Sequence, residues 1–270
     1  MNGRIEARFA ERASENRCLL IAFLTAGDPD PALTAPAMHA LVDAGADLLE
    51  LGMPFSDPMA DGPVIQQASE RALARGVGLA HVLEALATFR SRDSITPVVL
   101  MGYLNPLEQY GLAKFAGDAA AAGADGVLIV DCPAEELDTS KAALDAADLR
   151  QIFLVAPTTS AERIERICAS ASGFIYYVSL KGITGAASLA ADEVSAAVSL
   201  LKSRAAIPVG VGFGIKTPAQ AAALAVTADA IVVGSSVVEA LALANDEAGV
   251  VQASRSILEP LRQAIDRARG

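Results

Sequence analysis

The chain has little with which to hold a metal, a nucleic acid or a membrane. Its three cysteines, Cys18, Cys132 and Cys168, are widely spaced and form no Cys-x-x-Cys pair, which argues against a disulfide framework and a thiolate zinc site. Histidine occurs only at His39 and His81, both in helix-like segments with no ligand spacing between them, so each reads as a surface or packing residue. No metal is expected. Lysine and arginine number 21 against 32 acidic residues, and the net charge of -11 opposes polyanions and leaves no basic stripe for nucleic acid. No apolar run is long enough to span a bilayer. The N-terminal segment alternates charge where a secretory signal would carry a basic patch and then an apolar core. A cytoplasmic protein without membrane association is expected.

What the chain does have is apolar material: 53% of residues are hydrophobic and 20% charged, enough for a substantial core. Short runs of branched residues recur between Ala-rich stretches of helical period. The runs are Leu19 to Leu24, Asp47 to Leu51, Pro97 to Met101, Gly126 to Val130, Gln151 to Val155, Phe174 to Val178, Pro208 to Val211 and Ala230 to Val233. The segments between, such as Pro31 to Ala44, Ala134 to Ala147 and Thr217 to Val226, predict helices. Eight such alternations predict a (β/α)8 TIM barrel over residues 1–270 as one domain. A doubly wound sheet would carry a Gly-rich dinucleotide turn after its first strand, and Thr25-Ala26-Gly27-Asp28-Pro29 lacks that fingerprint. Two additions are expected: a helix over Asn2 to Asn16 that caps the bottom of the barrel, and a short helix after Gly234-Ser235-Ser236.

Glu50 is the residue that most demands an explanation, because it lies in the otherwise apolar run Leu48-Leu49-Glu50-Leu51-Gly52. Strand alternation puts Leu48 and Glu50 on one face and Leu49 and Leu51 on the other, so the carboxyl points to the inner rim. Either desolvation tunes it as a general acid, or it is paired with a Lys or Arg that the sequence does not identify. Asp61 follows on a Pro- and Gly-rich loop, and Asp61-Gly62-Pro63 is equally the start of a helix with Asp as its N-cap. Asp131 and Tyr176 point toward the same region, as functional groups or as supports.

Three Gly-rich strand ends follow in order: Lys181-Gly182-Ile183-Thr184-Gly185, Gly210-Val211-Gly212-Phe213-Gly214 and Gly234-Ser235-Ser236. Each alone is consistent with a tight turn. Together, at one end of a barrel, they predict a phosphate cradle of backbone N–H groups, and hence a small phosphate ester as ligand.

These motifs resemble a known family. Leu48-x-Glu50-Leu51-Gly52 with Pro54-Phe55-Ser56-Asp57-Pro58 and Ala60-Asp61-Gly62-Pro63 is similar to the signature of the tryptophan synthase α subunit. Met101-Gly102-Tyr103 with Asn105-Pro106, Gly182-Ile183-Thr184-Gly185 and Gly212-Phe213-Gly214-Ile215 extend the likeness from about Phe9 to the C-terminus. The resemblance implies a barrel that cleaves indole-3-glycerol phosphate to indole and glyceraldehyde 3-phosphate, a lyase with no cofactor of its own. It implies Glu50 and Asp61 as the catalytic pair, Phe23, Leu100, Tyr103, Leu128 and Tyr176 around the indole ring, and Thr184, Gly185, Gly214, Gly234 and Ser235 in the phosphate loops. It also implies a β partner that uses pyridoxal phosphate, joined in an α2β2 assembly and met by Pro54, Phe55 and Asp57.

A stand-alone indole-glycerol-phosphate lyase and a non-catalytic phosphate-binding regulator are the alternatives, the latter opposed by the presence of both acids. One position departs from the family pattern: an Arg commonly follows the Ser before the Gly-x-Thr-Gly loop, whereas Ser179 is followed here by Leu180 and Lys181. A lysine does not reproduce a planar guanidinium fork.

Overall fold

In a computed structural model, which describes residues 3–132, 138–178, 187–212 and 214–269, eight parallel strands pair in chain order and close β8 back onto β1. The strands are β1 Leu19–Thr25, β2 Leu48–Gly52, β3 Val98–Gly102, β4 Gly126–Ile129, β5 Arg150–Val155, β6 Ile175–Val178, β7 Val209–Gly212 and β8 Ala230–Val233. Each lies within a residue or two of the run that predicts it. The helices around them are α2 Thr34–Asp43, α4 Leu79–Arg90, α6 Leu112–Ala122, α7 Asp138–Ala146, α8 Ala161–Ser170, α9 Ala187–Arg204, α10 Pro218–Ala225 and α12 Glu247–Arg269.

Alternation along each strand divides the core in two. Leu20, Ala22, Leu24, Leu49, Leu51, Val98 and Leu100 face outward and pack under the helices. Leu19, Ile21, Leu48, Val99, Leu128, Ile152, Phe174, Ala230 and Val232 fill the barrel. Its lower end is closed by α1 Arg4–Ser14, whose Ile5 and Phe9 join that inner cluster, with the Phe9 ring 5.7 Å from that of Phe174. The expected bottom cap is therefore present.

The same end is tied by three Ala-Asp pairs that each precede a strand. Asp47 accepts from the Leu20 N–H at 2.9 Å, Asp125 from Val98 at 2.8 Å and Asp229 from Val209 at 2.9 Å, so each aspartate ties its strand to the preceding one. Arg12 and Arg262 neutralise the buried Asp47, Arg4 and Arg90 hold Asp125, and Lys202 holds Asp229. A buried carboxylate needs this kind of partner, and Glu50 stands in contrast to them.

At the upper, carboxyl end the described residues contain three further helices: α3 Pro63–Ala74, α5 Leu104–Tyr110 and α11 Ser235–Leu241. α11 is expected from the sequence, and Asp61-Gly62-Pro63 offers a helix start where α3 begins, though with Gly62 and not Asp61 as the N-cap. The place of α3 is a difference of consequence, because it lies across the barrel mouth with Val64, Ile65 and Ala68 packed against Phe23 and Val238. The two histidines are packing and capping residues: His39 stacks on Phe89 at 4.7 Å, and His81 Nδ1 accepts from the Gly78 N–H at 3.2 Å.

Candidate active site

Glu50 sits on β2 beside Phe23 of β1 and Val99 of β3, with Leu48 beneath it on the same face. Only 1% of the residue is exposed, and its Oε1 has no hydrogen-bond partner among the described residues. None of the described Lys or Arg side chains forms an ion pair with it, so the paired alternative has no support there. Burial alone pushes the carboxyl up to about 8. At neutral pH it is mostly protonated and holds a proton ready to give.

Asp61 reaches the same mouth from the loop before α3. The N-cap of α3 is Gly62, with Pro63 in the first turn and no side-chain cap, so the capping reading of Asp61 is set aside. Its carboxylate instead accepts a hydrogen bond from the Tyr103 hydroxyl. The same phenol oxygen accepts the Ala60 N–H at 3.1 Å, and the Gln66 side-chain amide donates to the Asp61 carbonyl at 2.8 Å. The loop carrying the acid is thus tied to β3 on one side and α3 on the other. Burial raises Asp61 to about 6 against the lowering effect of Tyr103, leaving it mostly ionised at neutral pH. The Tyr103 phenol is pushed up by its own burial and then by the Asp61 charge.

Asp61 lines a cleft with Phe23, Thr25, Ile65, Met101 and Tyr103, and Glu50 lies buried on β2 beside Phe23 of that wall. The two carboxyls have their affinities for protons pushed apart, one an acid and one a base. Gly52 is required where β2 enters this cleft, because a Cβ there would lie 2.6 Å from the Phe23 ring.

The model of the family described as tryptophan synthase alpha chain matches residues 9–266. The chain belongs to the tryptophan synthase alpha chain family. The tryptophan synthase alpha chain of Xanthomonas oryzae pv. oryzae is 55% identical over 267 residues, 98% of this chain and 99% of that one. That of Bordetella bronchiseptica is 53% identical over 97% of this chain and 95% of its own length. Among solved structures, the tryptophan synthase subunit alpha of Legionella pneumophila superposes with a TM-score of 0.91 at 45% identity, covering 99% of this chain and 100% of that one. A chain of Mycobacterium tuberculosis tryptophan synthase in its aminoacrylate-bound form gives 0.87 at 35%, over 98% of this chain and 100% of that one.

In this tryptophan synthase α-type barrel, Phe23, Leu128 and Tyr176 lie on the inner face, Tyr176 half-buried. Burial drives the Tyr176 phenol well above its ordinary value, with a further rise from the Glu50 charge. Leu100 is a correction. It points outward beneath the helices, because the phase of β3 sends Val99 and Met101 inward and Val98 and Leu100 outward. Met101 takes the place expected of Leu100.

Gly214 follows β7 with φ 74°, a left-handed backbone that suits glycine. Gly234 precedes the seven-residue α11, which Ser235 begins. Ser236 Oγ donates to the Ile215 carbonyl at 3.5 Å and joins these two strand ends. Thr184 and Gly185, with Lys181, lie outside the described residues.

Of the surface expected to meet a partner, Asp57 is exposed and accepts from the Ser56 hydroxyl at 2.6 Å. Phe55 is half-buried against the Tyr103 ring at 5.2 Å. Pro54, two residues beyond the end of β2, is buried, so its side chain is not part of the exposed surface expected to meet a partner. Asp131 accepts from the Leu104 N–H at 2.8 Å and supports the start of α5.

Thr25, Ile65, Ser69 and Met101 line the cleft without having been expected. Alternation could have found two of them. Met101 is in phase with Val99, and Thr25 is in phase with Phe23 at the end of β1, although its neighbours read as a turn.

Proposed function

We propose that this chain cleaves indole-3-glycerol phosphate to indole and glyceraldehyde 3-phosphate as the α subunit of a tryptophan synthase. The observation that carries the reading is the Glu50 carboxyl, buried on the inner face of β2 and mostly protonated at neutral pH, beside Phe23 of the cleft that a mostly ionised Asp61 lines. The reaction breaks the bond between ring carbon C3 and the side-chain carbon that becomes the aldehyde.

Glu50 gives its proton to C3, and positive charge develops on the ring nitrogen. Asp61 accepts a hydrogen bond from the ring N–H and stabilises that charge. The side-chain hydroxyl then loses its proton to the Glu50 carboxylate, the carbon bond breaks, and its electron pair restores the aromatic ring. Glu50 ends as it began, so acid and base work balance within one residue. Each positioned acid or base contributes roughly 10²- to 10⁴-fold.

The ring itself accepts the electrons, and the chemistry calls for no cofactor in this chain. Gly214, Gly234 and Ser235 supply the backbone of the phosphate site, where donors at a helix start suit an anion despite the acidic net charge. Phosphate anchoring there and ring contacts with Phe23, Met101, Leu128 and Tyr176 hold the scissile bond beside Glu50.

The released indole passes to a β subunit that joins it to serine with pyridoxal phosphate, in an α2β2 assembly. Asp57 and Phe55 face that partner. Phe55 also stacks on the tyrosine that holds Asp61, so the partner-facing loop and the catalytic acid share one support.

The test is indole release from indole-3-glycerol phosphate by the wild type and Glu50→Gln, each with and without an added β subunit. Slow cleavage that rises with the β subunit and collapses in the variant is expected. Equal activity with and without it would favour a stand-alone lyase, and no cleavage under any condition would overturn the reading.

A further inference from the structure

Two inward side chains at the mouth of the barrel carry buried polar atoms with no hydrogen-bond partner among the described residues: Glu50 Oε1 and Thr25 Oγ1. The first belongs to the proposed chemistry. The second has no role in it. Thr25 is the last residue of β1, is 2% exposed and lines the cleft that contains Asp61. Valine would fill the same volume with the same branching and without a hydroxyl to desolvate, and it suits a strand equally well. A buried hydroxyl left unmatched is costly, and native proteins rarely tolerate one without a use.

We propose that the Thr25 hydroxyl contacts the substrate, hydrogen-bonding a hydroxyl of the three-carbon chain between the indole ring and the phosphate. This rests on the functional reading above and adds a residue to it. In the β1–β2 register Phe23 lies opposite Glu50 and Thr25 opposite Gly52, so Thr25 stands one inward step above the Glu50 level on the neighbouring strand. β1 also lies between β2, which leads to Asp61, and β8, which leads to Gly234 and Ser235. A ligand with its ring at Asp61 and its phosphate at Ser235 must run its linking chain past β1.

The chemistry selects the same part of the ligand. The ring N–H is met by Asp61, and the phosphate oxygens by backbone donors. What remains are two hydroxyls that both donate and accept, and a threonine hydroxyl does the same.

The test compares wild type, Thr25→Val and Thr25→Ser by kcat/KM, by Tm, and by the affinity of indole-3-propyl phosphate, in which both side-chain hydroxyls are replaced by hydrogen. Thr25→Val is expected to lose roughly 5- to 10-fold in kcat/KM, the worth of one neutral hydrogen bond, while its Tm is unchanged or higher. Thr25→Ser keeps most of the activity. The deoxygenated analogue binds wild type and Thr25→Val equally.

Wild-type kcat/KM in Thr25→Val would overturn the proposal. So would a lowered Tm, the mark of a structural hydroxyl, or a loss of analogue affinity as large as the loss for substrate. In each case the functional reading stands if the wild type cleaves the substrate. A wild type that does not cleave it overturns both.

Discussion

Gly212 and Tyr176 occupy neighbouring strands, and the absence of a side chain on the first makes the room for the phenol of the second. A Cβ on Gly212 would overlap the Tyr176 hydroxyl oxygen, lie 2.7 Å from its Cζ and come within 3.0 Å of the Val232 Cβ. Val232 is buried in the barrel and cannot give way, so the half-buried Tyr176 phenol is the group that must shift. Gly212→Ala is expected to fold with a loss of about 1–3 kcal/mol, the usual result of overpacking, and to displace the phenol from the Glu50 site. Urea unfolding measures the first effect and kcat/KM the second. A Gly212→Ala, Tyr176→Leu double variant should be less destabilised than the two single losses added together, because the shortened side chain relieves the clash. Additive losses would show that the two residues do not compete for space.

The pair of acids predicts a bell-shaped pH profile. Asp61 must be ionised to accept the ring N–H, so kcat/KM rises as pH passes through about 6. Glu50 must be protonated to deliver a proton to carbon, so kcat/KM falls as pH passes through about 8. The maximum lies between them. Tyr103→Phe identifies the acidic limb: it removes the hydrogen bond that lowers Asp61, so that limb should move to higher pH while the alkaline limb stays. A profile in which Tyr103→Phe moves neither limb would break the assignment.

Glu50 should also weaken the fold it serves. Its folded-state pKa of about 8 lies above the ordinary 4.5, so between those values the folded protein holds a proton that the unfolded chain has released. Stability therefore falls as pH rises through that window, by up to a few kcal/mol for a shift of this size. Glu50→Gln has no proton to release. Near pH 4.5 it should match the wild type in urea unfolding, and by pH 8 it should be the more stable of the two by a few kcal/mol, although inactive. An unchanged difference between pH 4.5 and 8 would mean that Glu50 is paired or hydrated.

The strands were legible in the sequence because each is buried on both faces and reads as an apolar run bounded by turn residues. Glu50 was legible for the same reason, as a charge with leucines on both sides of it. The start of α3 could be read at Asp61-Gly62-Pro63, but its place could not: the ring helix α4 follows soon after, so nothing in the pattern separates a helix over the barrel mouth from the one beside the wall. The choice between function and capping for Asp61 turned on Tyr103, which is distant in sequence and meets it only through the β2–β3 neighbourhood. Pairing of this kind leaves no local trace.

Leu100 and Met101 are adjacent and both apolar, and composition cannot tell which faces the ligand; the phase of β3 can. Val99 pairs with Glu50 and fills the barrel, so Met101, two residues on, faces the cleft, while Leu100 is fully buried beneath the helices. The two alanine substitutions should therefore separate function from stability. Leu100→Ala removes a packed side chain from the outer core and is expected to cost about 2–5 kcal/mol, with kcat/KM close to wild type below its melting transition. Met101→Ala, at a partly exposed position, should cost less stability and raise KM for indole-3-glycerol phosphate several-fold, because apolar contact with the ring is lost. A raised KM in Leu100→Ala with none in Met101→Ala would require β3 to be turned by one residue, which would also carry Val99 out of the barrel and its neighbour Val98 into it.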